Sequence, residues 1–106
     1  MNAELTKVLA GLRKGLEAIY GDRLVRLMLF GSQARGDAED GSDIDVLVVL
    51  KGAVRPGEEI ERTGDFIAAL CLEHGVVITC VYMDEDHFLN RQGPLLRNIR
   101  REGMAI

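Results

Sequence analysis

Apolar positions along the chain follow two different periods. In residues 3–20, Leu5, Val8, Leu9, Leu12, Leu16 and Ile19 recur at three- and four-residue steps, while Lys7, Arg13, Lys14 and Glu17 lie off that stripe. This period predicts an amphipathic helix over residues 3–20, ended by Gly21-Asp22. The stripe reads as core-facing, with a partner-binding groove as the lesser alternative. Residues 24–30 and 44–50 are instead short, nearly unbroken aliphatic runs with polar or glycine borders, and they predict buried strands. A third such run, residues 76–82, predicts a third strand. Between the second and third runs, Pro56 and Gly75 suit the start and end of a helix over about residues 58–73. Gly64 inside it costs about 1 kcal/mol relative to alanine, which points to a close packing contact or a break. Residues 51–57 form a loop. Asp84 is placed to cap a short helix containing His87 and Phe88, and Gly93-Pro94 opens a last helix from 95 to about 102.

The border of the second strand carries chemistry. Residues two apart in a strand share a face, about 6.5–7 Å apart at Cα, so Asp43 and Asp45 project together with Ile44 on the opposite side. Two adjacent carboxylates repel unless a positive charge sits between them. A divalent cation with oxygen ligands, Mg²⁺ above all, resolves the repulsion and leaves coordination positions for substrate phosphates. The bland alternative is a strand start whose carboxylates cap turns and face water. Upstream, Gly31 permits a tight exit from the first strand and close approach of a ligand to the backbone. Ser32 is placed to cap a short helical turn, Gln33-Ala34-Arg35, whose N–H groups suit an anion, and its hydroxyl can donate to a phosphate oxygen. Arg35 can reach a phosphate or form a salt bridge with Asp37, Glu39 or Asp40; the sequence leaves both open.

The combination Gly31-Ser32-x-Ala34-Arg35-Gly36, then Ser42-Asp43-Ile44-Asp45 and an aliphatic run, resembles the signature of the DNA polymerase β-type nucleotidyltransferase superfamily. Within it the short chain resembles the minimal nucleotidyltransferase (MNT) domain proteins. The resemblance is specific in residues 29–50. It extends more loosely to Leu95-Leu96-x-Asn98-Ile99-x-x-Glu102-Gly103, similar to the tail of one subgroup. It implies an α/β chain of the nucleotidyltransferase fold, a small mixed β-sheet with flanking helices, in one domain over residues 1–106. It also implies Mg²⁺ or Mn²⁺ and ATP or another nucleoside triphosphate. Family proteins transfer a nucleoside monophosphate to a hydroxyl and release pyrophosphate. By position, Gly31 and Ser32 would hold triphosphate, with Arg35 and Ser42 as further nucleotide contacts. Asp43 and Asp45 would be the catalytic pair, holding two metal ions that clamp the attacking and leaving oxygens. Many minimal members pair with a small helical HEPN-domain protein as its antitoxin, and some attach AMP to that partner.

One departure stands out. The family usually has a third carboxylate on a later strand, and residues 76–82 contain none. Asp84, Glu85 and Asp86 fall after that run, and Glu73 before it. Nucleotide binding survives this loss, because the triphosphate supplies oxygens; transfer would be slow or would need the partner's help. A nucleotide-binding regulatory or partner-neutralising module is therefore the alternative function.

Composition narrows the partners. At 106 residues, 47% hydrophobic and 28% charged, the chain has room for one modest core. A net charge of −4 excludes nucleic-acid binding by bulk electrostatics. No apolar stretch reaches the roughly 18–20 residues of a membrane span, and Met1-Asn2-Ala3-Glu4 does not open a secretory signal, so a cytoplasmic protein is expected. Cys71 and Cys80 lie in apolar patterns and read as reduced core residues; His74 and His87 read as surface residues. Arg91, Arg97, Arg100 and Arg101 read as a solvated face, with contact to a nucleotide or an acidic partner as the alternative. Met104-Ala105-Ile106 either pack back on the sheet or join an interface. With the exposed edges of a three-stranded sheet, they suggest self-association or a partner subunit.

Overall fold

Asn2 turns its side-chain oxygen onto the Leu5 amide at 2.7 Å, and helix α1 (Ala3–Tyr20) starts there. This cap satisfies one of the N–H groups that a helix start leaves without an internal acceptor. The computed structural model describes residues 2–106. After α1 come a single 3₁₀ turn, strand β1 (Leu24–Phe30), the one-turn helix α2 (Ser32–Arg35) and strand β2 (Ile44–Leu50). Helix α3 (Pro56–His74), strand β3 (Ile78–Asp84), helices α4 (Glu85–Asn90) and α5 (Pro94–Glu102) and strand β4 (Met104–Ala105) follow.

The sheet has the order β3-β2-β1-β4. β1 runs antiparallel to β2 and to β4, whereas β2 and β3 are parallel. The mixed sheet with flanking helices is thus as expected, but it has a fourth strand. The chain end returns to the sheet: Met104 and Ala105 pair with Leu29 and Met28 while their side chains stay exposed, and Ile106 packs against the core.

β2 is buried on both faces, which is why its sequence is an unbroken aliphatic run rather than an alternation. Ile44, Val46, Val48 and Leu50 join the core under α1 and α3; Leu47 and Val49 join a second cluster with Phe88, Leu96 and Ile99 of α4 and α5. The α1 stripe faces the first cluster as its period predicts. Its last buried member is Tyr20, while Ile19 lies at the surface. Tyr20 turns inward because its hydroxyl has a partner: Glu59 of α3, only 2% exposed, accepts from it at 2.8 Å. Arg62 Nε also donates to Glu59 at 3.0 Å, so the buried carboxylate is paired rather than stranded.

β3 begins later than its apolar run. Gly75 ends α3 at φ +65°, and both it and Val76 donate to the Cys71 carbonyl. That helix cap takes the Val76 amide out of the strand. At the other end β3 continues through Met83 to Asp84, so the strand does contain one acid. Asp84 pairs with Leu50, at the far end of β2 from Asp45, and its side chain caps α4 by accepting from the His87 amide at 2.7 Å. Cys71 and Cys80 are both free thiols packed against the core, and burial pushes the Cys80 thiol up to about 11.

Gly64 marks neither of the features expected of it. α3 runs through it unbroken, and a Cβ there would meet no atom within 4 Å. Gly64→Ala is therefore expected to stabilise the protein by about 1 kcal/mol through helix propensity alone. Thermal denaturation checks this, and a lower Tm would mean the position carries a constraint other than space.

Candidate functional site

The register of β1 against β2 assembles the site. Phe30 pairs with Asp45, so the chain leaving β1 at Gly31 lies beside the chain entering β2. Gly31 has φ +75° and ψ −156°, a region nearly exclusive to glycine. A Cβ at Gly31 would lie 2.5 Å from Asp45 Oδ2. The Asp45 carboxylate thus rests against bare backbone, and glycine is required for both torsion and space.

α2 follows as one turn. The Ala34 and Arg35 amides each donate to the Gly31 carbonyl at 3.1 Å, and Gly36, at φ +80°, closes the turn by donating to Ser32 at 3.0 Å. Gly31, not Ser32, is the cap residue: Ser32 is the first residue inside the turn, so its side chain is not the one that caps it. Ser42 sits across the loop. Its hydroxyl accepts from the Glu39 amide at 2.9 Å, its own amide donates to Glu39 at 3.0 Å, and Gln33 Nε2 donates to its carbonyl at 3.4 Å. Ser42 fastens the loop 36–43, leaving its hydroxyl hydrogen as the group it can offer a ligand.

Arg35 forms ion pairs with Asp37 and with Glu102, each at 3.1 Å, and not with Glu39 or Asp40. The second pair ties α2 to the end of α5. Sequence reasoning missed Glu102 as a neighbour of the site, although the Glu102-Gly103 pair in the tail was a signal for it. Gly103 lets the chain turn from α5 into β4, since a Cβ there would lie 2.4 Å from the Ile99 carbonyl. On the outer side of the same helix, Arg100 donates to the carbonyls of Phe88 and Arg91 and stacks on the Phe88 ring. That arginine is structural; Arg97 and Arg101 remain exposed.

Asp43 is exposed and Asp45 partly buried, with Ile44 between them turned into the opposite core. Burial raises the Asp45 carboxyl above its ordinary value, the charge of Asp43 raises it further, and Arg35 opposes both. A carboxyl raised in the fold holds its proton above the pH at which the unfolded chain releases it. Folding stability without metal therefore falls as pH rises through the carboxylate range. Asp45→Asn is expected to raise Tm at neutral pH in chelator and to flatten this pH dependence, and added divalent cation to raise the Tm of wild type but not of the variant. Calorimetry from pH 4 to 7 checks both; a variant less stable than wild type in chelator would contradict the repulsion.

The residue beside Asp45 on β3 is Thr79, exposed and uncharged. Among the described residues no group of three or more His, Cys, Asp or Glu side chains is placed to hold a metal ion. The Asp43/Asp45 pair still fits a hard divalent cation: both side chains offer oxygen, and their repulsion is relieved by it. A separate cavity of about 530 Å³ opens on the opposite side of β2, between Val8, Ile44, Cys71 and Val76 and the loop residues Glu39 and Ser42. It is not the space into which Asp43 and Asp45 point. No helix among the described residues is long and apolar enough to cross a membrane.

Comparison with known proteins identifies the family of the chain. The model of the nucleotidyltransferase domain family matches residues 9–104. The "Putative protein adenylyltransferase MJ0604" of Methanocaldococcus jannaschii is 34% identical over 107 residues, covering 100% of this chain and 99% of its own length. Among solved structures, one described as a "putative minimal nucleotidyltransferase" is 27% identical with a TM-score of 0.60, covering 95% of this chain and 90% of that one. A "toxin-antitoxin with AMP-PNP" shares the fold at 20% identity and a TM-score of 0.67, covering 91% of this chain and 69% of that one. With its family signature lying where β1, α2 and β2 converge, the chain belongs to the nucleotidyltransferase domain family and is a minimal nucleotidyltransferase domain protein.

Proposed function

We propose that this protein binds Mg²⁺ (or Mn²⁺) with ATP and transfers AMP to a hydroxyl of a protein, acting in the cytoplasm as the antitoxin half of a pair with a HEPN-type helical partner. In this reading residues 1–106 work as one domain. The observation that carries it is the closeness of the Asp45 carboxylate to Gly31, which supports reading Asp43 and Asp45 as a metal-binding pair beside a phosphate cradle at Gly31-Ser32. Support for AMP and for a protein target comes from the adenylyltransferase relative, and support for a paired partner from the toxin–antitoxin neighbour.

In the transfer, a bond forms between the acceptor oxygen and the α-phosphorus. The bond to the bridging oxygen breaks, pyrophosphate leaves with the electron pair, and the hydroxyl proton passes to solvent. Asp43 and Asp45 would hold the metal, which supplies charge neutralisation on the phosphates. Gly31 lets the triphosphate approach the backbone, Ser32 donates its hydroxyl to a phosphate oxygen, and the Ser32 and Gln33 amides, ahead of those that close the α2 turn, serve the anion. Ser42 positions the loop around the nucleotide. Arg35 adds positive charge nearby while Asp37 and Glu102 hold it in place.

Thr79 favours a second reading, a nucleotide-binding regulatory or partner-neutralising module. It occupies the position next to Asp45 on β3, and Asp84 is at the strand's other end. Incubation with α-³²P-ATP, Mg²⁺ and host lysate separates the two. The transferase reading expects a labelled protein band with wild type and none with Asp43→Asn/Asp45→Asn. Nucleotide binding without any band selects the binding module.

A further inference from the structure

We propose that the free edge of β3 seats the acceptor: an extended segment of the modified protein adds to the sheet as a fifth strand, its hydroxyl residue opposite Thr79. The proposal rests on the transfer reading for the fate of that hydroxyl, but the docking itself rests on the edge.

β3 ends the sheet on one side, and the opposite edge is the two-residue β4. The Ile44 amide donates to the Val77 carbonyl at 2.9 Å, whereas the Ile78 amide turns to Cys71 Sγ at 3.4 Å. Strand backbone alternates, so residues 77, 79 and 81 bond toward β2, and Cys80 and Tyr82, with the carbonyl of Ile78, present their backbone groups outward. Edge strands that stay unpaired usually carry lysine, proline or a bulge. From Val77 to Met83 this edge has no charge and no proline.

Parity then fixes what an added strand would do. Thr79 pairs with Asp45 and shares its face. A residue opposite Thr79 on a new strand lies on that same face, two strand spacings or about 10 Å from Asp45 at Cα. A phenolic hydroxyl spans that gap better than the shorter serine hydroxyl. The residues on either side of it point the other way, into a groove of about 350 Å³ between α3 and the edge, walled by Ile60, Gly64, Ile67 and Tyr82. A Cβ on Gly64 would meet nothing within 4 Å, so the groove has depth at its middle. This is strand addition, in which main-chain bonds give affinity and alternate side chains give specificity.

Charge selects the occupant. Glu61 and Asp65 stand exposed on α3, each next in sequence to a groove-lining residue, Ile60 and Gly64, and Asp43 is exposed at the site end. A second copy of this chain would bring the same acids against themselves. A segment with apolar residues on both sides of the hydroxyl and basic residues beyond them is complementary.

The test uses the full chain and the synthetic peptide Lys-Thr-Val-Tyr-Val-Thr-Lys. Peptide binding is expected to slow hydrogen exchange at the Cys80 and Tyr82 amides. Cys80→Pro removes an outward donor without touching the β2 ladder, and Gly64→Leu fills the groove with a better helix former. Each is expected to weaken peptide binding tenfold or more while Mg²⁺-nucleotide binding stays unchanged. No slowing at either amide, or full peptide affinity in both variants, overturns the proposal. Slowing of these amides in the protein alone, with sedimentation as a dimer, assigns the edge to a second copy and also overturns it. Edge-dependent docking with no label passed from α-³²P-ATP to the peptide tyrosine supports the docking and counts against the transferase reading. Labelling that ignores both edge variants does the reverse.

Discussion

Gly31→Ala is expected to remove Mg²⁺-dependent nucleotide binding and to lower stability together. The new Cβ would lie 2.5 Å from Asp45 Oδ2, closer than such atoms approach, so the carboxylate must leave its place against Gly31. The backbone at φ +75° and ψ −156° adds strain of about 1–3 kcal/mol for a residue with a side chain. For a domain of this size each kcal/mol moves Tm by roughly 4–8 °C. Calorimetric titration with Mg²⁺ and a non-hydrolysable ATP analogue is expected to show a loss of tenfold or more, about 1.4 kcal/mol. Gly36→Ala is the control. It too has positive φ, at +80°, but a Cβ there meets nothing within 4 Å. It is expected to cost about 1–2 kcal/mol of stability with nucleotide affinity intact. Wild-type affinity in Gly31→Ala would sink the assignment of Asp45 and Gly31 to one site.

Gly15→Ala is expected to destabilise the fold and leave the site alone. On a helix, alanine gains about 1 kcal/mol over glycine. Here the Cβ would lie 2.0–2.6 Å from three atoms of the Phe66 ring, and one turn earlier a Cβ on Gly11 would lie 3.2 Å from Leu70 Cδ1. Glycines four apart let α3 lay Phe66 and Leu70 directly on the α1 backbone. Displacing the ring costs about 1–3 kcal/mol of overpacking, and the expected net result is a lower Tm despite the better helix former. In a Phe66→Leu background the same change is expected to become neutral or favourable, because the obstacle is gone. Nucleotide affinity is expected to stay at the wild-type value, since Gly15 lies on α1 and Asp43 and Asp45 face the other side of β2. A higher Tm for Gly15→Ala in the wild-type background would contradict the packing argument.

Both glycines show where sequence reading runs out. Gly31 was legible as a turn, because an aliphatic run stops there. Its contact with Asp45 was not, because that depends on the pairing of Phe30 with Asp45. Gly64 was legible as an anomaly in a helix but faces open space, whereas Gly11 and Gly15 hold the tight contact within a helix whose apolar stripe is otherwise regular. A glycine's neighbours across a helix crossing leave no mark on its own segment. Arg35 illustrates the same limit. Asp37, two residues away, was a visible partner, while Glu102 reaches it only because α5 folds back over the sheet.

What the sequence determined by itself are the properties set by local chemistry. The periods of its apolar residues specify helices and strands, since side-chain direction repeats every 3.6 residues in one and every two in the other. The spacing of Asp43 and Asp45 puts both carboxylates on one face for the same reason, and the Gly31-Ser32 and Asp-x-Asp elements together point to the family. Only the tertiary structure decided how those pieces meet. It set the register that lays Asp45 on Gly31 and Thr79 beside Asp45, the return of Met104-Ala105 as a fourth strand, the fastening of Arg35 to Glu102, and the strand edge left bare beside Thr79. These depend on pairing between segments far apart in the chain, where the burial of both faces of β2 selects one register among many.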